Sequence, residues 1–424
     1  MSVNNIHPSR PAPLSNPGPG DLAREGVTAG VDWASTEHAV AVVDQQGVEL
    51  RRATVPHTKA GLSQLVGMLD RAGVREIGIE RGDGPMVDAL LEAGFVVFVI
   101  APNQVRNLRR RYGAAGNKDD HFDAYVLADT VRTDRHRLTP LAPDTPPTVT
   151  LRMSVRARQD LVAARVAMGN QLRAHLAIVL PGAIGLFRDI DSAITLAFLT
   201  RFPTQAKVNW LTPRRLENWL RSQRYPNPRR AELLHAHLAG AARGTTDPQA
   251  DTRAHITAAL VAGLQSLRTQ IAALEDDIGQ QLLVHPDAQI FTSLPKAGTM
   301  RAARLLAEIG DCRSRFPTPQ ALTSLAGATP STRQSGKVTV IGFRWAVDKQ
   351  LRGAVMDFAG DSHHANPWAA DLYWKARHRG KDHSHATRIL ARAWLLVIWR
   401  CWQDHEAYDP ARHRACQALQ NTVA

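Results

Sequence analysis

Cysteine and long apolar runs are scarce in this chain of 424 residues. Its three cysteines, Cys312, Cys401 and Cys416, are too few and too scattered for a disulfide framework or a paired metal site. That usage favours a reducing compartment, the cytoplasm. The N-terminus lacks a basic-then-apolar signal pattern, and the apolar stretch 394–399 is far shorter than the roughly 20 residues of a spanning helix. We therefore expect a protein that is neither secreted nor embedded in a membrane.

Acidic residues are outnumbered as well, since 52 Lys and Arg face 39 Asp and Glu and leave a net charge of +13. Such an excess favours a polyanionic partner, because bound cations release counterions from a phosphate backbone. A solvated basic surface without any nucleic-acid role is the alternative. The charge indicates a nucleic-acid partner but does not indicate a fold.

Residues 27–140 alternate predicted strands and helices, after a tail at 1–26 whose Pro, Ser, Asn and Gly predict disorder. The predicted strands are 27–34, 38–43, 48–55, 75–80 and 95–101. The predicted helices cover 62–69, 85–93, 103–112 and 120–132. The resulting order, βββαβαβα, is typical of a layered α/β domain.

Beyond a proline-rich linker at 140–147, residues 151–285 are predicted to be helical. Apolar residues repeat there at alternating spacings of four and three, which is typical of a coiled-coil seam. The seam consists of Leu260, Leu264, Leu267, Ile271, Leu274, Ile278 and Leu282. Residues 151–180 are the predicted antiparallel partner, and an ordinary buried helix pair is the alternative. Between the two lies a helical insert at about 186–250, which contains Trp and Arg and is broken by prolines.

Residues 286–410 form the last predicted domain, which is mostly α-helical. One helix is expected over 300–309, and another begins near Pro319. The stretch 327–342 is rich in turn formers, and the remainder is helical and strongly basic.

Two acidic side chains end predicted strands, and two more lie at the start of a predicted helix. Asp32 ends the first strand and Glu80 the fourth, so neighbouring strand ends would bring both to one crevice. Asp120 and Asp123 are three residues apart, which places them on one helix face. Taken singly, a strand-end Asp is more often a turn former and Asp120 an N-cap, and Asp119 is a competing ligand.

Four carboxylates gathered without basic partners would repel one another, and divalent cations with oxygen ligands would relieve the repulsion. Mg²⁺ is the usual ion where phosphates are the substrate, and one or two such ions polarise a phosphodiester. The sequence therefore predicts a Mg²⁺ site at this crevice. The other acidic residues of the region, Asp83, Asp129 and Asp134, are expected at the surface.

At this point the residues resemble a known family. Gly-Val-Asp-Trp-Ala at 30–34, Glu80, and Lys-Asp-Asp-His-Phe-Asp-Ala at 118–124 resemble the DEDD domain of insertion-sequence transposases. The match is specifically to the insertion-sequence one-ten family, whose DEDD domain is RuvC-like with an α/β RNase H-like fold. Two further blocks, 294–311 and 325–337, resemble that family's second conserved domain.

The resemblance covers roughly 27–135 and 285–400, and it implies a DNA transposase or recombinase that cuts and rejoins strands of an insertion sequence. It assigns residues 27–140 as the DEDD catalytic domain and 286–410 as a transposase domain with a catalytic serine. One departure is Lys296, which stands where the family's turn has its first glycine.

The resemblance also implies that the serine attacks a DNA phosphate and holds the strand as a phosphoserine intermediate. By motif position the candidate is Ser335, with Ser331 as the alternative. A serine followed by glycine in a turn is presented with little steric cover, although the residues alone favour a plain turn serine. Its hydroxyl needs activation, for which the carboxylate cluster with Mg²⁺ is the candidate.

Basic residues near both motifs are predicted to contact nucleic acid, chiefly phosphate. They are Arg106, Arg109, Arg110, Arg111, Lys118, Arg333 and Lys337. A solvated helix face is the alternative for the four arginines. Histidines near the C-terminus match no common zinc spacing.

The partners that the resemblance implies are donor and target DNA and a guide, a structured noncoding bridge RNA that pairs with both. It also implies a bacterial cytoplasmic, nucleoid-associated location. A gap of 212 residues separates Asp123 from Ser335, so the two half-sites meet by folding or across subunits. The helical spacers favour subunits, hence a homo-oligomer, a dimer or tetramer.

Three other functions compete with this interpretation. A structure-specific nuclease or junction resolvase would use the carboxylates without serine chemistry. A sugar-kinase-like ATPase would need a glycine-rich phosphate loop, whereas Asp32 is followed by Trp33, Ala34, Ser35 and Thr36. A catalytically inactive binding protein would have no need of the acidic set.

Overall fold

The computed structural model describes residues 26–112, 119–244, 250–335 and 338–413, apart from the side chain of Arg333. These residues fall into two compact units, one ending at Pro143 and the other beginning at Asp144. None of the helices in the described ranges is long and apolar enough to cross a membrane.

The first unit contains a five-stranded sheet with helices on both faces. Its strands are β1 Thr28–Asp32, β2 Glu37–Val43, β3 Glu49–Pro56, β4 Glu76–Ile79 and β5 Val96–Val99. Its helices are α1 Lys59–Arg71, α2 Pro85–Glu92, α3 Pro102–Arg109 and α4 Asp120–Asp134. The order across the sheet is β3-β2-β1-β4-β5, antiparallel from β1 to β3 and parallel from β1 through β4 to β5. The order of elements is βββαβαβαα, which is the predicted βββαβαβα with two helices after the last strand, and it is compatible with an RNase H-like domain.

The alternation of side chains along β1 explains how helices cover both faces. Ala29 and Val31 are buried in the cluster that includes Leu65 of α1 and Leu90 of α2. Gly30 faces the other way, where a Cβ would lie 2.0 Å from the carbonyl oxygen of Ala124 in α4. Only glycine lets α4 pack this closely on the strand.

The second unit is mostly helical. Its first helices are α5 Pro146–Val179, α6 Ala193–Arg201, α7 Gln205–Asn209, α8 Pro213–Ser222, α9 Ala231–Gly240 and α10 Ala250–Leu283. They are followed by α11 Ala288–Thr292, α12 Gly298–Ile309, α13 Pro319–Leu325, α14 Lys349–Ser362, α15 Pro367–His378 and α16 His383–Asp404. A two-stranded hairpin, β6 Ser331–Ser335 and β7 Val338–Gly342, lies between α13 and α14.

The long helices α5 and α10 pack against each other in antiparallel directions. Arg158 near the start of α5 pairs with Glu275 near the end of α10, and His175 lies 2.9 Å from Thr257 at the opposite ends. Of the predicted seam, Leu264, Ile271, Ile278 and Leu282 are buried, and Leu260, Leu267 and Leu274 are partly buried. The structure thus contains an intrachain helix pair. Supercoiling and self-association stay predictions.

The insert between these two helices shares a core with them. Phe198 of α6 and Leu216 and Leu220 of α8 are buried in one apolar cluster with Leu172 of α5 and Leu264 of α10. The insert is therefore a compact helical layer on the helix pair.

A second core in this unit centres on α16. Trp394 and Trp402 are fully buried, and their indole N–H groups donate to the Ser362 hydroxyl at 2.8 Å and the Gly310 carbonyl at 2.9 Å. Both buried indole N–H groups therefore have a hydrogen-bond acceptor, as buried donors need. This core supports α12, α13 and α14, and through them the hairpin.

The hairpin differs from the turn-rich conformation predicted for 327–342. Ser331 pairs with Gly342 and Ser335 with Val338 across the two strands. Val338, Val340 and Ile341 are β-branched and favour strand. The glycines and prolines around them obscured that short run in the sequence.

Candidate metal centre

Two carboxylates leave the sheet side by side. Val31 of β1 pairs with Ile79 of the parallel strand β4. The next residues in each strand are Asp32 and Glu80, and both line one cleft of about 420 Å³. The carboxyl ends of neighbouring parallel strands therefore bring these side chains together.

The first turn of α4 supplies the other two carboxylates of the same cleft. Asp119 is the N-cap, since its side chain accepts a hydrogen bond of 3.1 Å from the backbone N–H of His121. Asp120 and Asp123 line the cleft, and their ligand oxygens and one of Asp32 lie within 4.8 Å of one another. The structure thus places all four predicted carboxylates around one cleft and gives the capping role to Asp119.

The expectation that the carboxylates lack a basic partner is wrong. Arg109, at the end of α3, pairs with Asp123 through two nitrogens, and the Nη2-to-Oδ2 distance is 2.5 Å. The Asp123 side chain is only 2% exposed, so its charge needs such compensation. α3 ends at Arg109 instead of continuing to 112 as predicted. Arg109 lines the cleft.

The donor set fits a hard divalent cation. Every candidate ligand atom here is a carboxylate oxygen, the donor that Mg²⁺ and Mn²⁺ prefer. Three of these carboxylates are close enough to share one ion, and Glu80 lines the same cleft. Arg109 places a positive charge against Asp123, so an ion at this carboxylate would meet that contact.

Two cleft residues were missed by the sequence reasoning. Trp33 follows Asp32 directly, and the guanidinium carbon of Arg81 lies 4.6 Å from the centre of its ring. Asn103 is the second residue of α3 and accepts a hydrogen bond of 3.2 Å from Arg106. The strand-end rule that selected Asp32 and Glu80 also covers Trp33, and no comparable signal marks Asn103.

The remaining predicted nucleic-acid contacts have varied surroundings. Arg106 is exposed and lines the cleft, and Arg110 is exposed. Arg111 donates a hydrogen bond of 3.2 Å to Thr133. Lys118, Lys337 and the side chain of Arg333 lie outside the described residues.

Asp129 is buried, contrary to the surface position expected for it. It is 2% exposed and accepts hydrogen bonds from Tyr112 and, at 2.7 Å, from Arg132. Burial and the neighbouring Asp129 carboxylate raise the pKa of Tyr112 above its usual range. Asp83 is exposed as expected, and Asp134 is partly buried.

The candidate serines occupy opposite ends of β6 in the second unit. Ser335 is the last residue of the strand and is exposed. Ser331 is partly buried, and its hydroxyl lies 3.5 Å from the carbonyl oxygens of Gly342 and Phe343. Ser335 is thus presented at the tip of the hairpin, whereas Ser331 is held at its base.

Comparison with known proteins identifies the family. A transposase model of the IS110 DEDD type matches residues 29–181, and a model for transposases of the IS116/IS110/IS902 family matches 288–374. A mini-circle protein of Streptomyces coelicolor, named as a transposase for IS117, is 32% identical over 399 residues, covering 91% of this chain and 96% of that protein. The chain belongs to the IS110 family of DEDD transposases.

Two further relatives are proteins of other insertion elements. An uncharacterized 42 kDa protein of insertion element IS900 from Mycobacterium paratuberculosis is 28% identical across 91% of this chain and 98% of its own length. An uncharacterized 43.6 kDa protein of insertion element IS110 from Streptomyces coelicolor is 31% identical across 69% of this chain and 72% of its own length.

The departure at Lys296 from the IS110-family turn now has a structural description. Lys296 has a left-handed backbone with φ of 60°, and Gly298, two residues later, has φ of 57°. A lysine therefore adopts the conformation that glycine adopts more readily, at a cost of about 1 kcal/mol.

Proposed function

We propose that this chain is a DNA transposase that cuts and rejoins strands of an insertion sequence with a Mg²⁺-binding carboxylate cluster and a serine nucleophile. The observation that carries the proposal is the convergence of Asp32, Glu80, Asp120 and Asp123 on one cleft. Membership of the IS110 family supports DNA as the substrate and a divalent metal as the cofactor.

The domains follow from this assignment. Residues 27–140 are the RuvC-like catalytic domain, 151–285 are the helical coiled-coil region with its insert, and 286–410 are the domain that carries the serine. The metal-oxygen chemistry resides in the first of these and the nucleophile in the last.

The carboxylate cleft has the chemistry for phosphodiester transfer. When bound, one or two Mg²⁺ ions would polarise the phosphate and stabilise its developing charge. The chain's own part is to hold the carboxylates at fixed strand and helix ends, and Arg109 pairs with the buried carboxylate of Asp123. Arg106, on the rim, is placed to contact a phosphate of the bound strand.

Ser335 supplies the nucleophile in this scheme. Its Oγ forms a bond to the phosphorus while the bond from phosphorus to the leaving deoxyribose oxygen breaks. The leaving oxygen takes a proton, and the carboxylate cluster accepts the proton of the serine. The number of phosphoester bonds is unchanged, so the reverse attack by a strand hydroxyl rejoins DNA without an external energy source.

The geometry of the hairpin supports Ser335 over Ser331. Ser335 is exposed at the tip, and the neighbouring Val338, Val340 and Ile341 are 62%, 55% and 70% exposed. An exposed hairpin with apolar side chains is suited to insertion into another surface. We infer that this surface is the carboxylate cleft of a second copy, which would make the protein a homo-oligomer with composite active sites.

The family resemblance extends the proposal to a guide. A structured bridge RNA would select donor and target DNA by base pairing, in a bacterial cytoplasm close to the nucleoid. The net charge of +13 supports such a nucleic-acid partner. Arg110, Arg111, Lys118, Arg333 and Lys337 would contribute phosphate contacts.

The experiment compares three purified variants on insertion-sequence DNA with Mg²⁺. Asp32→Asn and Ser335→Ala should each lower strand joining by roughly 10³-fold or more, because each removes an essential member of a catalytic unit. Ser331→Ala, the matched control in the same strand, should retain joining. If Ser335→Ala cut DNA at the wild-type rate, the chain would be a carboxylate nuclease and the serine mechanism would be wrong.

A further inference from the structure

The insert between α5 and α10 has a surface of strongly one-sided charge that the catalytic scheme leaves unused. Within the insert, residues 193–244 contain nine Lys and Arg but only two Glu, a net of +7 out of +13 for the whole chain, while the rest of 186–250 adds one Arg and three Asp. All nine basic side chains are exposed. An eighth of the chain therefore carries more than half of its net charge, on its outer surface.

Two of these arginines lie along one side of α8. Leu216 and Leu220 of α8 are fully buried in the core of the insert. Arg214 and Arg221 lie on the opposite side, because seven residues are close to two full turns. Their Cα atoms are about 10 Å apart along the axis, at a rise of about 1.5 Å per residue. α8 thus presents two exposed arginines in line on the side away from its core, and Arg221 also donates a hydrogen bond of 2.7 Å to Glu217.

The arginines continue beyond the end of α8. Arg224 closes the helix, since its N–H donates to the Arg221 carbonyl at 3.0 Å and that of Tyr225 donates to the Leu220 carbonyl at 2.9 Å. The 3-10 turn Pro228–Arg230, which packs against α8, adds the exposed Arg229 and Arg230. We call these five residues the arginine face, and they are Arg214, Arg221, Arg224, Arg229 and Arg230.

Arg224 has a backbone conformation that is unfavourable for a residue with a Cβ atom. Its φ is 51°, the left-handed region, at the helix-closing position that glycine usually occupies. An arginine there is disfavoured by its Cβ and gains nothing for the core, because its side chain is exposed. A residue kept in an unfavourable conformation is a reason to look for a function.

An aromatic side chain lies beside the arginine face. Trp210, just before α8, is 54% exposed, and the Arg215 guanidinium lies 4.0 Å from the centre of its ring. Arg215 also donates to the Trp210 carbonyl at 2.8 Å, which fixes the pair. The Trp210 ring therefore holds Arg215 in place beside the arginine face, where its charge adds to that of the other arginines.

We propose that the arginine face binds the phosphate backbone of a double-stranded nucleic acid. The spacing of Arg214 and Arg221 suits a duplex, whose phosphates advance about 3.4 Å per step along each strand. Side chains that contact phosphates do not select a base sequence, so the face adds affinity and orientation. DNA and RNA duplexes share this chemistry. The inference rests on the proposed function only in that the chain handles nucleic acid.

The test measures binding of the full chain to a short labelled DNA duplex and to an RNA duplex of the same sequence, over a series of salt concentrations. The variant is Arg214→Gln, Arg221→Gln and Arg224→Gly combined. It should bind at least one duplex about 10-fold or more weakly than wild type. The plot of the logarithm of the binding constant against the logarithm of the salt concentration should become less steep, by about 0.9 for each phosphate that the variant no longer neutralises. The duplex whose affinity falls further identifies the natural partner as DNA or RNA.

The control removes the same charge from exposed arginines elsewhere, Arg75→Gln, Arg400→Gln and Arg412→Gln, which pair with acidic neighbours. It should bind within about two-fold of wild type, because these arginines lie outside the arginine face, and the loss of exposed ion pairs like that of Arg221 with Glu217 changes folding stability little. Arg224→Gly alone should leave the melting temperature unchanged or raise it, so weaker binding by this single variant could not come from unfolding.

If the triple variant bound both duplexes with the affinity and the salt dependence of wild type, the proposal that the arginine face binds nucleic acid would be wrong. Equally weakened binding in the variant and the control would overturn it too, since only total charge would then matter. Strand joining by the wild type separates the two proposals. If the chain joins strands and the triple variant binds normally, only this inference fails, whereas a chain that binds neither duplex contradicts both.

Discussion

Arg109 determines how the carboxylate cleft behaves when no metal is bound. Asp123 is almost completely buried, and the guanidinium of Arg109, which is 23% exposed itself, pairs with it. A metal ion bound at Asp123 would compete with that contact. The arginine therefore acts as a resident cation that a divalent ion has to displace or share.

Arg109→Gln is expected to lower stability without metal and to strengthen metal binding. Loss of the ion pair leaves a buried carboxylate uncompensated, which costs about 3 kcal/mol, the low end for buried pairs because Arg109 is partly exposed. Thermal unfolding with and without Mn²⁺ measures this directly. Added Mn²⁺ should narrow the gap to wild type, since an ion that binds only the folded state stabilises it.

The neighbouring Arg110→Gln is the control, because Arg110 is exposed. It should change neither the melting temperature nor the Mn²⁺ affinity appreciably. An Arg109→Gln chain that binds Mn²⁺ more weakly than wild type would show that Arg109 organises the site instead of competing for it.

Among structural elements, α4 has the largest effect on the site, because it delivers two carboxylates and lies directly on the sheet. Its position depends on glycines in the strands beneath it. A Cβ on Gly30 would approach the Ala124 carbonyl to 2.0 Å, and one on Gly78 the Leu127 carbonyl to 2.7 Å. Strand glycines of this kind permit close helix packing.

Gly30→Ala is therefore expected to push α4 away from β1 and to disturb the metal site. Overpacking of this kind costs about 1–3 kcal/mol, and the shift would separate Asp120 and Asp123 from Asp32. Both the free energy of unfolding and the Mn²⁺ affinity should fall. Gly67→Ala in α1 is the matched control, because the added Cβ meets only the end of Arg71 at 3.4 Å and alanine favours helix. Unchanged Mn²⁺ affinity in Gly30→Ala would contradict the role assigned to α4.

The elements also show how much the sequence could predict. β1, β4 and β5 are apolar runs bounded by turn residues, so their order and the placement of Asp32 and Glu80 at strand ends followed from local patterning. The Arg109–Asp123 pair did not, because it depends on where α3 ends and how it packs on α4. The hairpin of Ser335 was not predicted for another reason, since the strand-forming run Val338–Gly342 is short and stands among turn-forming residues.

In the whole molecule, the carboxylates and the serine belong to different units of the chain. The proposed composite site predicts complementation between two inactive chains. An Asp32→Asn chain and a Ser335→Ala chain, mixed and allowed to exchange subunits, should form some sites with a wild-type cleft and a wild-type serine. Strand joining should then recover partly, by a fraction set by random mixing.

Two Asp32→Asn preparations mixed in the same way are the control and should stay inactive. Recovery in the heterologous mixture alone supports a site shared between subunits. If the mixture stayed inactive although subunit exchange was demonstrated, each site would be completed within one chain.

The central claim is that Ser335 forms a covalent bond to DNA phosphate at a site served by the carboxylate cluster. Its most direct test is to react the protein with insertion-sequence DNA and Mg²⁺, trap the protein–DNA adduct, digest it and locate the modified residue by mass spectrometry. The account predicts a nucleotide linked to Ser335, and no such adduct from the Asp32→Asn chain. A nucleotide linked to Ser331 or to another residue, or strand joining without any covalent adduct, would contradict it.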